Sequence, residues 1–363
     1  MNIAIVCGAR PNFIKVAPII RTIRNNKSYS AVNYQLIYTG TADDPSLEAS
    51  LFTDLEIGRP DVFLDVDCEN LNELTGQVMS KFEQYLQQHP TDVVIVVDDL
   101  ASTMATAIVT KKQGIKLAHI AAGTRSFDIN MPKEINRLVI DGLSDVLFTA
   151  GISNNNIANK EGAELSKVYM VGNILIDNLR YNHGRLKRPA VLDKLRLEEG
   201  KYIVFTLNRK ALIDNKAHLA QLVKAVISGM NDATLPIIAP LRGCAAGVVK
   251  EILAETSYPS AITLIEPQSY LDFEYITAHA CGIITDSGNV AEEATFNQIP
   301  CITLNSYTEH IETVKVGTNV LVGEDPKLLS VSVSNMISGQ WKASGIPERW
   351  DGRSAERILQ ILC

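Results

Sequence analysis

The sequence has little that marks metal, disulfide or cofactor chemistry. Its six cysteines are scattered, with no Cys-x-x-Cys pair and no histidine at metal-site spacing; they stand at positions 7, 68, 244, 281, 301 and 363. Scattered cysteines are typical of reduced thiols, so the sequence predicts a cytoplasmic protein without disulfides or a bound metal. A Gly-x-Gly-x-x-Gly motif after a strand is also missing, and no cofactor is expected.

Two further absences argue against membrane and nucleic-acid partners. No apolar run approaches the roughly 20 residues that span a bilayer. The first stretch, Met1 to Cys7, lacks the cationic residues of a signal peptide and is interpreted as a strand. The formal net charge is −7, which argues against a general nucleic-acid binder.

The length and the hydrophobic pattern predict two α/β domains. At 363 residues the chain exceeds one typical core. Apolar, β-branched runs such as 92–97 alternate with amphipathic segments such as 12–23, which indicates parallel sheets with helices on both faces. We therefore expect two Rossmann-like, doubly wound domains that face a cleft. Their expected bounds are 1–177 and 178–345, with a closing helix over 346–363 that packs back across the domains.

Polar residues follow the predicted strands of the first half. Ligands of doubly wound sheets bind at the carboxyl ends of the strands. Arg10, Asp99 and residues 121–125 each follow a predicted strand, so we expect them to lie at one edge of the sheet.

The stretch 283–294 organises the second half. An apolar run ends in Asp-Ser-Gly and is followed by good helix formers, which predicts a strand, a tight turn and a helix. The free N–H groups of such a helix bind phosphate well. Ser287 is a candidate cap of the helix, and Gly288 allows close approach of a ligand. An ordinary strand-to-helix turn is the alternative interpretation.

Several segments, in order along nearly the whole chain, resemble the non-hydrolysing UDP-N-acetylglucosamine 2-epimerases. That family has the GT-B fold, which it shares with many glycosyltransferases. The matching segments include Gly8-Ala9-Arg10-Pro11, Ala122-Gly123-Thr124-Arg125-Ser126, Glu134-Ile135-Asn136-Arg137, Val171-Gly172-Asn173, Tyr270-Leu271-Asp272-Phe273 and Thr285 to Ala294.

The resemblance implies a nucleotide-sugar site. Arg10, Ser287 and Gly288 would bind the diphosphate of UDP, and Glu293 would bind the ribose hydroxyls. A guanidinium and a helix N-terminus are both good phosphate partners. The alternatives are a surface salt bridge for Arg10 and a solvated helix face for Glu293. Further candidate substrate-binding residues lie on or beside the matching motifs: Lys15, Arg125, Arg137, Asn208, Arg209, Asn289 and His310.

The catalytic positions depart from the family pattern. The family eliminates UDP in an anti fashion and adds it back, with acid and base groups on both faces of the sugar. Its Asp in His-Gly-Asp-Thr corresponds to Asp99. Its Glu in His-Val-Glu-Ala-Gly, its first Glu in Pro-Glu-Glu and its His in His-Arg-Arg correspond to Ala121, Lys133 and Asn208.

These replacements change what the site can do with protons. Ala121 cannot move a proton, Asn208 has no useful pKa, and Lys133 puts a cation where the family has a carboxylate. Glu134 is present, but adjacent helix positions point about 100° apart, so it does not simply replace its neighbour. Asp99, Lys133 and Glu134 remain the candidate catalytic residues. His310 stands where the family has Arg in Thr-Glu-Arg-Pro-Glu, and Asn289 where it has Gly.

Three hypotheses follow. The chain is an active epimerase with a recast proton relay, a catalytically silent binder of a nucleotide sugar that partners another enzyme, or a GT-B glycosyltransferase with Asp99 as base. The resemblance implies UDP-N-acetylglucosamine or a relative as ligand, a homodimer, and a role in surface-polysaccharide synthesis.

Overall fold

A computed structural model describes residues 1–161, 167–230, 235–256 and 259–363. The chain forms two compact units. Unit 1 is Met1–Tyr181 together with Glu348–Cys363, and unit 2 is Asn182–Pro347. The sequence prediction placed the first boundary after residue 177, inside a helix that the structure extends from Ile174 to Asn182.

Unit 1 contains a seven-stranded parallel sheet in the order β3-β2-β1-β4-β5-β6-β7. Its strands are β1 (Asn2–Cys7), β2 (Asn33–Tyr38), β3 (Val62–Phe63), β4 (Val93–Val97), β5 (Lys116–Ile120), β6 (Val146–Thr149) and β7 (Lys167–Met170). Its helices are α1 (Arg10–Asn25), α2 (Ala49–Leu55), α3 (Leu71–Gln88), α4 (Ala101–Lys112), α5 (Pro132–Leu143), α6 (Ile152–Glu161) and α7 (Ile174–Asn182), with a 3₁₀ turn at Lys27–Tyr29.

Unit 2 contains a six-stranded parallel sheet in the order β10-β9-β8-β11-β12-β13. Its strands are β8 (Ile203–Phe205), β9 (Ile237–Ala239), β10 (Ile262–Leu264), β11 (Gly282–Thr285), β12 (Cys301–Thr303) and β13 (Asn319–Leu321). Its helices are α8 (Ala190–Lys194), α9 (Lys210–Asp214), α10 (Lys216–Gly229), α11 (Gly243–Ala254), α12 (Tyr270–Ala278), α13 (Gly288–Phe296), α14 (Ile311–Lys315) and α15 (Pro326–Ile337). The two doubly wound parallel sheets confirm the predicted fold class.

Burial of the central strands explains why the apolar runs of the sequence form these two sheets. Every residue of β4 is buried, as expected for a Val and Ile run covered by helices on both faces. The strand order reverses at β1, which lies between β2 and β4. Val6 pairs with Val96, and Val97 pairs with Ile120, so the loops after β1, β4 and β5 meet at one edge of unit 1. This is the edge where the sequence predicted the polar residues to gather.

The end of the chain belongs to unit 1. The expected closing helix over 346–363 is shorter in the structure, where α16 spans Ser354–Leu362. Gly352, with φ of 70°, turns the backbone just before it. The Asp177 carboxylate accepts hydrogen bonds from the N–H groups of Ser354 (3.1 Å) and Ala355 (2.8 Å), so a side chain of α7 caps α16.

Tryptophan positions give each unit its own reporter. The sequence has two tryptophans. Trp341 lies in unit 2 and donates to the carbonyl of Thr318, and Trp350 lies in unit 1 and donates to the carbonyl of Ala150. Across the described ranges, no helix is both long and apolar enough to cross a membrane.

Candidate functional site

The loop after β4 turns sharply and carries two aspartates. Asp98 has φ of 59° at the position where the family motif has glycine. Its carboxylate accepts hydrogen bonds from Lys15 Nζ (2.6 Å) and Asn12 Nδ2 (2.9 Å). Asn12 Oδ1 in turn accepts from the N–H groups of Gly8 and Ala9. The Lys15 side chain of α1 therefore pairs with Asp98, and Asn12 ties the loop after β1 to the loop after β4.

Asp99 lies between two cations of α5. Arg137 donates to its carboxylate from Nε (2.7 Å) and approaches it with Nη2 (2.6 Å), and Lys133 Nζ lies 3.4 Å away. Burial raises the pKa of Asp99, but the charges of Lys133 and Arg137 outweigh it and hold the pKa below its ordinary value. Asp99 is therefore ionised and weakly basic. The Lys133 side chain itself is 58% exposed.

Glu134 holds the loop that precedes α5 and shares Arg137 with Asp99. Its buried carboxylate accepts from the N–H (2.9 Å) and hydroxyl (2.9 Å) of Ser126, the N–H of Phe127 (3.2 Å) and Arg137 Nη1 (3.0 Å). Burial raises the pKa of Glu134, but these bonds outweigh it and lower the pKa. With four donors on one ionised carboxylate, Glu134 is placed for a structural role rather than for proton transfer.

Below this edge lies a buried network that the sequence analysis did not predict. The Asp141 carboxylate contacts His119 Nδ1 (2.7 Å) and Arg125 Nη1 (2.7 Å) and accepts from the N–H of Gly123 (3.0 Å). His119 Nε2 faces the carbonyl of Asp98 at 3.0 Å. Both ring nitrogens thus contact oxygen atoms of the protein, and His119 is a packed structural histidine.

The spacing of the charged residues along α5 could have predicted this network. Glu134, Arg137 and Asp141 stand three and four residues apart, and all three are buried. That spacing places them on one face of a helix. Arg125 also donates to Glu161 (2.9 Å), so Arg125 and Arg137, two of the arginines predicted to bind substrate, each have acidic partners within unit 1.

Ala121 follows β5 in a strained backbone conformation, with φ of 67°. Its methyl group offers no acid at this edge of the sheet. Arg10, the first residue of α1, lies at the same edge, after β1. The structure therefore places Arg10, Asp99 and Ala121 along one edge, as the sequence predicted, and Lys133 of α5 lies beside Asp99. Of the four matched catalytic positions, Asp99 alone has a carboxylate.

In unit 2, Asp286 joins the ends of β8 and β11. It accepts from the N–H of Asn208 (2.9 Å to each oxygen) and of Arg209 (2.8 Å). Burial raises the pKa of Asp286, which these bonds oppose. The Arg209 guanidinium contacts Asn305 and donates to Glu324 (2.7 Å), while the Asn208 side chain is exposed. Asn208 thus has an amide at the surface where the family motif has histidine.

The predicted phosphate turn lies at the start of α13. Ser287 occupies the capping position, but its hydroxyl makes no capping hydrogen bond within the described residues, so the predicted side-chain cap is wrong. Gly288 and Asn289 begin the helix. A methyl group on Gly288 would lie 2.6 Å from the Nε2 and Cδ2 atoms of His310, so glycine lets the imidazole pack against the turn. His310 Nδ1 lies 2.7 Å from Glu292 Oε1.

Glu293 is buried, and the alternative of a solvated helix face is wrong for it. Glu274 and Glu292 are buried nearby, and Glu274 accepts a hydrogen bond from Asn182 (2.9 Å). Burial, with the charges of Glu274 and Glu292, raises the pKa of Glu293 to about 8. This group of acids, which sequence reasoning found only in part, makes Glu293 a carboxyl that holds a proton at neutral pH.

Glu293 makes unit 2 less stable as the pH rises. Between an ordinary pKa of 4.5 and about 8, the folded state keeps a proton that the unfolded chain releases. The free energy of unfolding therefore falls through this window and is unaffected below it. We expect Glu293→Gln to be more stable than the wild type by about 1–3 kcal/mol near pH 8, with no such gain near pH 4.

Urea unfolding at the two pH values measures this difference. Trp341 fluorescence reports on unit 2 when Trp350 is replaced by Phe. The exposed Glu255, paired at 3.0 Å with Lys216, supplies the control variant Glu255→Gln, which we expect to change stability by less than about 1 kcal/mol at either pH. A Glu293→Gln gain that is the same at both pH values would contradict the prediction.

The model of the UDP-N-acetylglucosamine 2-epimerase family matches residues 24–363. The chain belongs to this family. It is 33% identical to UDP-N-acetylglucosamine 2-epimerase of Methanocaldococcus jannaschii, over 100% of this chain and 99% of that protein. It is also 31% identical to UDP-2,3-diacetamido-2,3-dideoxy-D-glucuronate 2-epimerase of Pseudomonas aeruginosa, over 100% and 99% of the two chains.

Solved structures agree with this assignment. The Methanocaldococcus jannaschii epimerase in complex with UDP-GlcNAc and UDP matches the chain with a TM-score of 0.85 at 33% identity, over 100% of this chain and 99% of that one. The Neisseria meningitidis epimerase bound to UDP-GlcNAc has a TM-score of 0.88 at 24% identity, over 100% and 99%, and supports the fold. This member of the UDP-N-acetylglucosamine 2-epimerase family therefore has a GT-B-like fold.

In the described part of the chain, no three His, Cys, Asp or Glu side chains form a metal-binding group.

Proposed function

We propose that this family member binds a UDP-sugar without carrying out ordinary epimerisation at carbon 2. The observation that carries the proposal is the environment of Asp99. It is the carboxylate kept from the family's catalytic set, and Arg137 and Lys133 hold it ionised at 2.6–3.4 Å. A carboxylate with a lowered pKa is a weak base, and Ala121 supplies no acid.

Nucleotide binding is supported by the residues that match the nucleotide-binding motifs of the family. The family resemblance gives Arg10 of unit 1 the role of a diphosphate ligand. It gives the same role to Ser287 and Gly288 of unit 2, and Asn289 extends that turn. The carboxyl group of Glu293 would accept hydrogen bonds from the ribose hydroxyls. Lys15, Arg125, Arg137 and Arg209 each hold an acidic partner, so they would position the site, and the exposed Asn208 would contact the sugar.

The second candidate is an active epimerase with a recast relay. Lys133 Nζ lies 3.4 Å from Asp99, close enough for the two side chains to act as a pair. Glu134 is fully hydrogen-bonded and contributes nothing to such a relay. The glycosyltransferase hypothesis gains no further support, because the similar galactosyltransferase structure, at 13% identity and a TM-score of 0.58, reflects the fold alone.

Calorimetry and isotope exchange together test the proposal. UDP and UDP-N-acetylglucosamine are titrated into the protein in deuterated buffer, and deuterium at carbon 2 is followed by NMR in the same sample. We expect binding without exchange. Exchange at a rate near that of the Methanocaldococcus jannaschii epimerase, run as a positive control, would favour the recast relay instead.

We also propose that the protein is a cytoplasmic homodimer, as the family resemblance implies. Light scattering during size-exclusion chromatography tests the dimer. A mass equal to the 39.8 kDa of one chain at working concentration would contradict it.

A further inference from the structure

The loop after β4 places a carboxylate at the crevice where the strand order of unit 1 reverses. The reversal occurs at β1, and ligands of doubly wound sheets bind outside the carboxyl ends of the strands at such a point. The loops that border the crevice follow β1 and β4. The Asp98 carboxylate joins the two sides, because it accepts hydrogen bonds from Lys15 Nζ (2.6 Å) and Asn12 Nδ2 (2.9 Å) of α1. The protein therefore supplies an anion of its own at this crevice.

The backbone of Asp98 is held from the neighbouring strand. Its N–H donates to the carbonyl of Ile120 (3.3 Å), and its carbonyl lies 3.0 Å from His119 Nε2. Glycine adopts a φ of 59° freely, whereas other residues keep such a conformation only when the surrounding structure holds it. The Asp98 side chain is 20% exposed. Its carboxylate therefore has a fixed position that solvent or a ligand can still approach.

We propose that Asp98 is a built-in anion that weakens binding of the diphosphate of the nucleotide sugar. The inference rests on the proposed function, which gives Arg10 of α1 the role of a diphosphate ligand. Asn12, which binds the Asp98 carboxylate, also accepts hydrogen bonds from the N–H groups of Gly8 and Ala9, the two residues before Arg10. One side chain thus joins Asp98 to the turn that carries Arg10. Like charges brought close together reduce affinity.

The charges at this edge of the sheet explain why one carboxylate matters. The Lys15 side chain is 8% exposed, and Asp98 offsets much of its positive charge from 2.6 Å. Asp99, the next residue, adds a second carboxylate, which pairs with Arg137 and Lys133. The family motif has glycine in place of Asp98, so the chain carries one more negative charge here than the motif does. A diphosphate therefore meets a less positive edge than the motif would provide.

Calorimetric titration of Asp98→Gly and Asp98→Asn with UDP-N-acetylglucosamine tests the inference. Asn has nearly the shape of Asp and also tolerates a positive φ, so it removes the charge without a change of backbone. We expect each variant to bind this ligand about tenfold more tightly than the wild type, because the repulsion is removed in both.

Asp92 supplies a matched control on the same strand. It precedes β4 at the opposite edge of the sheet, and its carboxylate accepts a hydrogen bond from the N–H of Asn2 (2.7 Å). We expect Asp92→Asn, which removes the same charge far from the crevice, to bind with the affinity of the wild type. Circular dichroism checks that every variant is folded.

The outcomes separate the inference from the proposed function. If the wild type and both Asp98 variants bind UDP-N-acetylglucosamine with the same affinity, the inference is wrong while the proposed function stands. A gain in Asp98→Gly alone would come from the backbone and would also overturn the inference. Binding by both variants but not by the wild type would support the inference and overturn the proposed function. If none of the three binds, both are overturned.

Discussion

The triple variant Ala121→Glu, Lys133→Glu and Asn208→His is expected to exchange the carbon-2 proton of UDP-N-acetylglucosamine at least about 10²-fold faster than the wild type. The variant restores the groups of the family motifs. It also removes the cation 3.4 Å from Asp99 and puts a carboxylate in its place, which raises the pKa of Asp99 toward a useful range for a base. Deuterium incorporation at carbon 2, followed by NMR, measures the change.

Each single replacement is expected to raise the exchange rate far less than the triple variant does, because the effects of catalytic groups that act together are not additive. Lys112, exposed at the end of α4, supplies the charge-reversal control Lys112→Glu, which should leave the exchange rate at the wild-type level. A triple variant that folds and binds the ligand but does not exchange would mean that other features of the site block epimerisation.

The second large effect is expected from Gly172→Ala, which should destabilise unit 1 by about 3 kcal/mol or more. Gly172 follows β7 with φ of 98°, a conformation that side chains rarely adopt. A methyl group there would also lie 2.1 Å from the carbonyl oxygen of Arg349, in the segment that leads into α16. The contact is between backbone atoms of Arg349 and a carbon attached directly to the backbone of residue 172, so no flexible side chain can move to relieve it.

Alanine substitutions at two other glycines of unit 1 separate the cost of backbone strain from the cost of the steric collision. Gly114 has φ of 70° with no atom within 4 Å of the added methyl group, so its replacement by Ala should cost about 1 kcal/mol. Gly76 lies in α3 with no close atom, and alanine there should stabilise by about 0.5–1 kcal/mol. Urea unfolding followed by Trp350 fluorescence, with Trp341 replaced by Phe, compares all three. Equal costs for Gly172 and Gly114 would refute the collision with Arg349.

The fold was predictable because its signals are local and repeated. The Val and Ile run of β4 and the amphipathic pattern of α1 reveal a strand and a helix without knowledge of their partners. The edge strand β3 has two residues, too few for a hydrophobic period to appear in the sequence. The closing helix was predicted too long because Gly352 sets its start through a positive φ.

The placement of the candidate residues at strand ends was predictable from the sequence, but the protonation of their carboxyl groups was not. The strands of a parallel sheet all end at the same edge, so the alternation of strands and helices predicts that Arg10, Asp99 and Ala121 lie along it. Whether a carboxyl holds a proton depends on neighbours distant in sequence. Burial raises the pKa of Glu293, and so does Glu274, nineteen positions away on another helix. Glu134 accepts hydrogen bonds from a loop that has no sequence periodicity. Such pairings follow from tertiary packing.

The return of residues 348–363 to unit 1 affects the order in which the protein matures during synthesis. Domains generally fold as units, the N-terminal one first, as they leave the ribosome. Here the whole of unit 2 is translated between α7 and α16, so the cap that Asp177 places on α16 forms only after unit 2 has emerged. The unit that is made first is completed last, and loss of the final helix would harm the beginning of the chain.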